Sequence, residues 1–253
     1  MFNVQDITER KAAADALRRS NVELRQYAGV AAHELQEPLR LISSYTQLLA
    51  RRYRGKLDSD ADEFIDFASG AADRLQRMLA ALLVYSQIGS ADSQTQAVDC
   101  NALWFEVKGQ LHERIRDAGA HIEQDALPHL NGDRHELSQL FLHLLTNALD
   151  NAAGKTPRIH IGARPAGEGW WQLSVSDQGV GIAPRYHENI FRLFARLQGP
   201  TEGKGTGVGL ALCRKVVERY GGRIWVESEE GKGACFHFTL PAARSSAPVA
   251  GLS

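Results

Sequence analysis

Only three cysteines, Cys100, Cys213 and Cys235, occur in 253 residues. They are scattered and odd in number, which excludes a disulfide framework and predicts free buried thiols in a reducing, cytoplasmic compartment. Charge of one sign is lacking too. A formal net charge of −1 leaves no electrostatic footprint for nucleic acid or an anionic membrane. Long apolar runs are missing: the longest, Met78 to Val84, is far too short to span a bilayer, and no secretory leader is recognisable. No internal repeat is evident.

Two familiar phosphate loops are also absent. GKGTGVGL, residues 203–210, fails the P-loop, which needs four residues between its Gly and Gly-Lys-Ser/Thr. It fails the dinucleotide fingerprint as well, because Val or Leu falls where the third Gly belongs. A glycine-rich turn still lets backbone N–H groups approach phosphate oxygens with no Cβ in the way. Two such turns are present, Asp-Gln-Gly-Val-Gly-Ile at 177–182 and Gly-Thr-Gly-Val-Gly-Leu at 205–210, with an amphipathic Leu/Asn helix ahead of both.

With 43% hydrophobic residues, the chain has material for one large or two ordinary domains. From Asp15 to about Ala50 the pattern is helical and heptad-like. Leu17, Leu24, Ala31, Pro38 and Tyr45 share one position; Asn21, Ala28, Leu35, Ile42 and Leu49 share the other. A second run repeats it, with Phe64, Ala71, Met78 and Tyr85 beside Ala68, Leu75 and Leu82. RRYRGKLDSD between them supplies a Gly and an Asp/Ser helix start, so an antiparallel hairpin is expected. A lone hairpin buries such seams poorly, and dimerisation into a four-helix bundle solves that.

Residues 86–97 are small and polar and read as a linker. Beyond Val98 the texture becomes α/β. The pattern predicts a helix from about Asn101 to Ala118, a short strand near His121 and a capped helix from near Asp133 to near Ala152. Strands follow at RIHIGARP and WWQLSVSD, then two helices, then strands at GRIWVESE and ACFHFTLP. The tail after Pro241 reads as disordered.

His33, in VAAHELQEPLRLI, falls off the heptad seam and faces water. An exposed helical histidine is most often plain surface, but Pro38 clashes with the carbonyl of Glu34 and bends the helix there. Adjacent side chains do not normally face each other. The bend lets the Glu34 carboxylate reach Nδ1, which leaves Nε2 as a free nucleophile on a group titrating near ~6.5. Asn147, in LFLHLLTNALDNA, lies on the polar side of a helix whose Leu140, Phe141 and Leu144 face the core. Its carbonyl is a hard oxygen suited to Mg²⁺; the plain alternative is a helix-surface Asn. Asp177 ends the strand LSVS, where a carboxylate can accept from an adenine amino group or simply cap the Gly turn.

These segments resemble the boxes of a sensor histidine kinase transmitter core over about residues 20–241, in its phytochrome-type, PAS-linked form. HELQEPL resembles the H-box, TNALDNA the N-box, DQGVG the first glycine box, NIFRLFARL the F-box and GTGVGL the second glycine box. The resemblance implies a multidomain chain: an all-α hairpin dimerising into a four-helix bundle, then an α/β two-layer sandwich of the GHKL (Bergerat) type that binds ATP. It implies a sensor-exit helix at 1–19, the phosphotransfer hairpin at 20–88, a linker at 89–97, the catalytic domain at 98–241 and a tail at 242–253. MFNVQDITERK resembles the exit of a PAS sensor domain, which implies an upstream sensor outside this chain.

The same resemblance implies that His33 accepts phosphate, with Glu34 as its base. Asn147 is then the magnesium ligand and Asp177 the adenine partner. Gly179 and Gly181 match the first glycine box; Gly205, Thr206, Gly207, Gly209 and Leu210 match the second. Phe191 and Phe194 match the aromatic positions and Arg196 a phosphate-facing arginine. ATP and Mg²⁺ follow as cofactors, and a response-regulator receiver domain and a second copy of the chain as partners. Three positions depart from the pattern. His143 replaces the first Asn of the N-box, and Asp150 stands where a Lys near the phosphates is common. Glu37 replaces the Thr or Asn that positions water for dephosphorylating the regulator. The alternatives are an ATPase or serine kinase of the same nucleotide fold, and a catalytically weak dimerisation scaffold.

Overall fold

The computed structural model describes residues 34–89, 94–152, 154–195 and 206–243. It divides into two compact units, Met1–Gln87 and Ile88–Ser253.

The first unit is the expected hairpin. Helix α1 covers residues 34–53, running through Pro38, and α2 covers Ser59–Gln87. The turn follows its chemistry: Gly55 takes φ 72, and Asp58 Oδ1 accepts from Ala61 N–H at 2.8 Å to start α2. Within one chain the two helices bury Leu39, Ala72 and Leu79, with Leu83 packed against them. Ser43 Oγ crosses the same seam to Asp73 Oδ1 at 3.0 Å. The heptad residues Leu35, Ile42, Tyr45, Leu49, Phe64 and Leu75 instead stay exposed. A helix pair can bury only one stripe per helix against its neighbour, so the other apolar stripe faces outward.

The second unit is the two-layer α/β sandwich. Its elements are β1 (Gln96–Asp99), α3 (Cys100–Gln110), α4 (His112–Asp117), β2 (His121–Gln124), β3 (His129–Gly132), α5 (Arg134–Asp150), β4 (Arg158–Pro165), β5 (Trp170–Asp177), α6 (Gly209–Arg219), β6 (Ile224–Ser228) and β7 (Ala234–Pro241). Five strands form one sheet in the order β2-β4-β5-β7-β6, with β2 parallel to β4 and the other pairs antiparallel. Alternation puts Ile159, Ile161, Leu173, Val175, Phe236 and Phe238 on the buried face. There they meet α3, α5 and α6. Trp104 and Phe238 flank Phe141 at 5.9 and 6.1 Å between ring centroids.

Strands β4 and β5 fall where alternation puts them, and Asp133 caps α5 through Oδ1 to His135 N–H and Glu136 N–H. Other expectations need correction. The helix expected from 101 to 118 breaks at Leu111, whose φ −103 and ψ 12 separate α3 from α4. The first of the two helices expected after β5 is a pair of short 3₁₀ turns, Pro184–Tyr186 and Asn189–Phe191. An unforeseen two-stranded sheet pairs β1 with β3. The segment read as linker is also anchored at its start: Ile88 is buried, and Gly89 N–H donates to Glu136 Oε1 at 3.1 Å.

Candidate active site

Three segments far apart in sequence meet at one end of the sheet. The first is the C-terminal half of α5. Leu140, Phe141, Leu144, Leu145 and Ala148 are buried in the core, which leaves His143 and Asn147 half-buried along the edge of that stripe and Asp150 exposed. Asn151 ends the helix. Its backbone N–H and side-chain Nδ2 both reach Asn147 O, at 3.2 and 2.7 Å, and Nδ2 also donates to Asn147 Oδ1 at 3.1 Å.

The second segment is the exit of β5. Asp177 closes the central strand between Ile159 of β4 and Ala234 of β7. Its Oδ1 accepts from Gly179 N–H at 2.8 Å, so it does cap the turn. Burial pushes its carboxyl above the ordinary value, opposed by the Gly179 and Ala234 N–H groups. The turn leans on the end of α5, where Val180 N–H donates to Asn151 O at 3.0 Å. A Cβ on Gly179 would lie 2.1 Å from that same oxygen, and one on Gly181, at φ +70, would lie 1.9 Å from Glu229 O. Both positions therefore exclude every other residue.

The third segment is the second glycine box. Phe191 is buried edge-on against Phe236, with centroids 6.3 Å apart, while Phe194 is exposed and has φ 63. A Cβ on Gly207 would meet Phe194 C and Ala195 O, both at 2.7 Å, so the F-box backbone lies directly on this glycine. Thr206 Oγ1 accepts from Val208 N–H at 3.4 Å. Gly209 opens α6, with Leu210 half-buried behind it. Built on Gly209, a Cβ would sit 3.0 Å from His143 Nδ1. The histidine that stands where the N-box has its first Asn therefore packs on the second glycine box, and burial lowers its pKa, which favours the neutral ring.

Asn147 and Asp177 thus share one locus with Gly179, Gly181, Gly207 and Gly209. His33, Arg196 and Gly205 lie outside the described residues, and Glu34 is exposed at the first described position of α1. The donor set fits magnesium. Asn147 Oδ1 accepts one hydrogen bond and keeps a second lone pair. No group of three or more His, Cys, Asp or Glu side chains that could hold a metal exists among the described residues. An ion here would draw most of its shell from phosphate and water, as Mg²⁺ does. Asp150, where a lysine was expected, is paired with Arg114 Nη2 at 2.5 Å. A depression of about 480 Å³ lies elsewhere, between α3 and the start of α5, and touches none of the boxes.

Comparison with known proteins agrees with this geometry. Residues 132–244 match the histidine kinase-, DNA gyrase B- and HSP90-like ATPase family, and residues 23–91 match the His Kinase A phospho-acceptor domain. The chain belongs to the sensor histidine kinases. It is 42% identical over 228 residues to cyanobacterial phytochrome A of Nostoc, matching 90% of this chain and 30% of that protein. To the phytochrome-like protein Cph1 of Synechocystis it is 40% identical over 226 residues, again over 30% of that protein. The transmitter core therefore spans about 30% of the length of these curated relatives. The full-length ShkA structure in complex with AMPPNP superposes with a TM-score of 0.65 at 25% identity, covering 88% of this chain and 47% of that one.

Sequence reasoning missed three residues of this candidate site. Asn151 and Arg114 act through contacts 4 and 36 positions away. Gly233 takes φ +81 and faces Asp177 O, where a Cβ would lie 2.1 Å away. Only the acidic turn ESEEGKG before β7 hinted at the last of these.

Proposed function

We propose that this transmitter core is an ATP-dependent protein histidine kinase that phosphorylates itself on His33 and passes the phosphoryl group to an aspartate of a response-regulator receiver domain. The observation that carries this reading is the convergence of Asn147, Asp177 and both glycine boxes at one end of the sheet. Magnesium supplies charge neutralisation of the phosphates when bound, and Asn147 Oδ1 would hold it. Asp177 would accept from the adenine amino group. Backbone N–H groups at the start of α6, beginning at Gly209, would face the phosphate oxygens, because a helix N-terminus favours an anion. Arg196, which lies outside the described residues, would add the phosphate-facing arginine that the resemblance implies.

Phosphoryl transfer needs positioning more than covalent help. Neutral His33 attacks the γ-phosphorus through the Nε2 lone pair as ADP departs. The phosphorylated ring then gives its Nδ1 proton to Glu34. Transfer to the receiver aspartate breaks the same N–P bond. Glu37, exposed on α1, would set an anion beside the regulator's phospho-aspartate and disfavour its hydrolysis. At about 4 Å and an effective dielectric near 20, two such charges repel by roughly 4 kcal/mol. The chain would work in the cytoplasm as a homodimer under a PAS-like sensor. Its outward apolar stripe on α1 and α2 supports the dimer. No described helix is long and apolar enough to cross a membrane.

The test is incubation with γ-labelled ATP followed by acid and base treatment. Acid-labile, base-stable label is expected, and it should vanish in His33→Gln while nucleotide binding persists. Acid-stable label, or acid-labile label surviving in His33→Gln, would overturn the assignment. The scaffold reading loses ground because Asp150 is paired with Arg114 and His143 is packed against Gly209.

A further inference from the structure

We propose that Asn151 is a positioning residue for the metal: its carboxamide dictates which end of the Asn147 carboxamide faces it and backs Asn147 Oδ1 as a ligand. The inference rests on the reading of Asn147 as the magnesium-holding residue.

A carboxamide has a donor end and an acceptor end that differ only by a half-turn, so the orientation of Asn147 must be set by its neighbours. Asn151 Nδ2 lies 2.7 Å from Asn147 O. A backbone carbonyl only accepts, so the Asn151 side chain must present its NH₂ there. The same nitrogen has a second hydrogen, and the atom 3.1 Å away on the Asn147 side chain must then be the oxygen. Asn147 cannot turn its own NH₂ inward without setting donor against donor. One lone pair of Oδ1 is occupied in this way and the other remains for an ion. A hydrogen bond from an outer residue fixes a ligand's direction and commonly changes metal affinity by about 10- to 100-fold.

The backbone of Asn151 does a second job. Its carbonyl accepts from Val180 N–H at 3.0 Å and occupies the space in which Gly179 would have a Cβ. Gly179 N–H in turn holds Asp177 Oδ1. The metal-side amide and the adenine-side carboxylate are therefore both referenced to this one residue. A plain helix cap would need only the backbone bond from Asn151 N–H to Asn147 O, at 3.2 Å, which any residue except proline supplies. The two side-chain bonds are specific to the carboxamide.

The experiment measures binding of a non-hydrolysable ATP analogue to the full chain by calorimetry, across a magnesium titration and in EDTA. Asn151→Leu keeps the bulk but loses the donor, and Asn151→Ala avoids any clash if the leucine variant does not fold. The magnesium concentration for half-maximal enhancement should rise about tenfold, while affinity in EDTA stays within about twofold of the parent. An unchanged magnesium requirement overturns the proposal. So does an equal loss with and without magnesium, which is what a cap alone would produce. Asn147→Ala separates the two levels. If it leaves the magnesium dependence intact, the metal assignment fails and this inference with it. If it removes that dependence while both Asn151 variants keep theirs, only the role of Asn151 is wrong.

Discussion

Arg114 on α4 donates to Asp150 Oδ1 on α5 at 2.5 Å, so the acid one turn beyond Asn147 enters the site with a cation already attached. Both side chains are partly exposed, 47% and 32%, and a pair of that kind adds under about 1 kcal/mol to stability. On the proposed function its consequence lies in the field at the phosphates. Arg114→Ala leaves Asp150 uncompensated and should weaken binding of an ATP analogue about fivefold, a cost near 1 kcal/mol. Asp150→Ala in the same chain should restore it. Calorimetry on the single and double variants checks this; unaltered affinity in Arg114→Ala would mean that the pair does not act on the nucleotide.

Gly181 and Gly231 offer a controlled contrast. Both have positive φ, +70 and +81, but a Cβ on Gly181 meets Glu229 O at 1.9 Å, whereas nothing lies within 4 Å of one on Gly231. Gly231→Ala should therefore cost only the backbone penalty of about 1–2 kcal/mol. Gly181→Ala must also displace a backbone carbonyl and should lower the thermal midpoint further. Equal shifts in the two variants would refute the close approach.

Asp177 should make the catalytic domain less stable as pH rises. Burial raises its folded-state pKa above the ordinary 3.8, so the fold favours the protonated form. Its stabilising contribution is complete below the unfolded pKa and is lost as pH climbs through the raised folded value. Asp177→Asn keeps an oxygen for Gly179 N–H and carries no charge to desolvate. Urea midpoints should show that this variant is at least as stable as the parent at neutral pH and has lost that part of the slope, while its nucleotide binding falls. A parent that gains stability with pH through this residue would contradict the argument.

The outward stripe of the hairpin predicts how the dimer fails. Ile42 and Phe64 are 53% and 71% exposed in one chain, and burying such side chains in a second copy is worth roughly 1.5–3 kcal/mol each. Ile42→Glu or Phe64→Glu should give monomers with helicity retained. Leu79→Ala, inside the seam at 8% exposure, should cost about 2–5 kcal/mol and loosen the hairpin itself. Light scattering with circular dichroism distinguishes the outcomes, and dimers that persist in both charged variants would place the interface elsewhere.

Much of this transmitter core was legible in one dimension because its signals are local. The 3.6-residue spacing of Leu137, Leu140, Phe141 and Leu144 behind the Asp133 cap marks α5, and alternation marks β4 and β5 residue for residue. The boxes could be read because glycine is demanded wherever a backbone passes within 2–3 Å of the next Cβ, as at Gly179, Gly181 and Gly207. Less legible were features whose cause lies across the fold. The break at Leu111 and the β1–β3 pair depend on partners brought by packing, since Leu111 is buried and Val98 faces Leu130. A helix was expected between β5 and α6, but the chain there makes two short 3₁₀ turns, with Phe191 buried against Phe236 and the Phe194 backbone resting on Gly207.

The heptad pattern by itself established a helical hairpin with an apolar seam, yet not the residues the two helices bury against each other. Tertiary packing decided that by burying Leu39, Ala72 and Leu79, none of which holds a heptad position, and leaving Ile42 and Phe64 outside. Asn147 and Asp177 were likewise named from sequence, through their places in the segments that resemble the N-box and the first glycine box; their own chemistry left a helix-surface Asn and a turn-capping Asp open. That Asn151 joins them, and that Arg114 answers Asp150, was decided only in three dimensions. A hydrogen bond or ion pair has no trace in the chain until folding brings its two ends within about 3 Å.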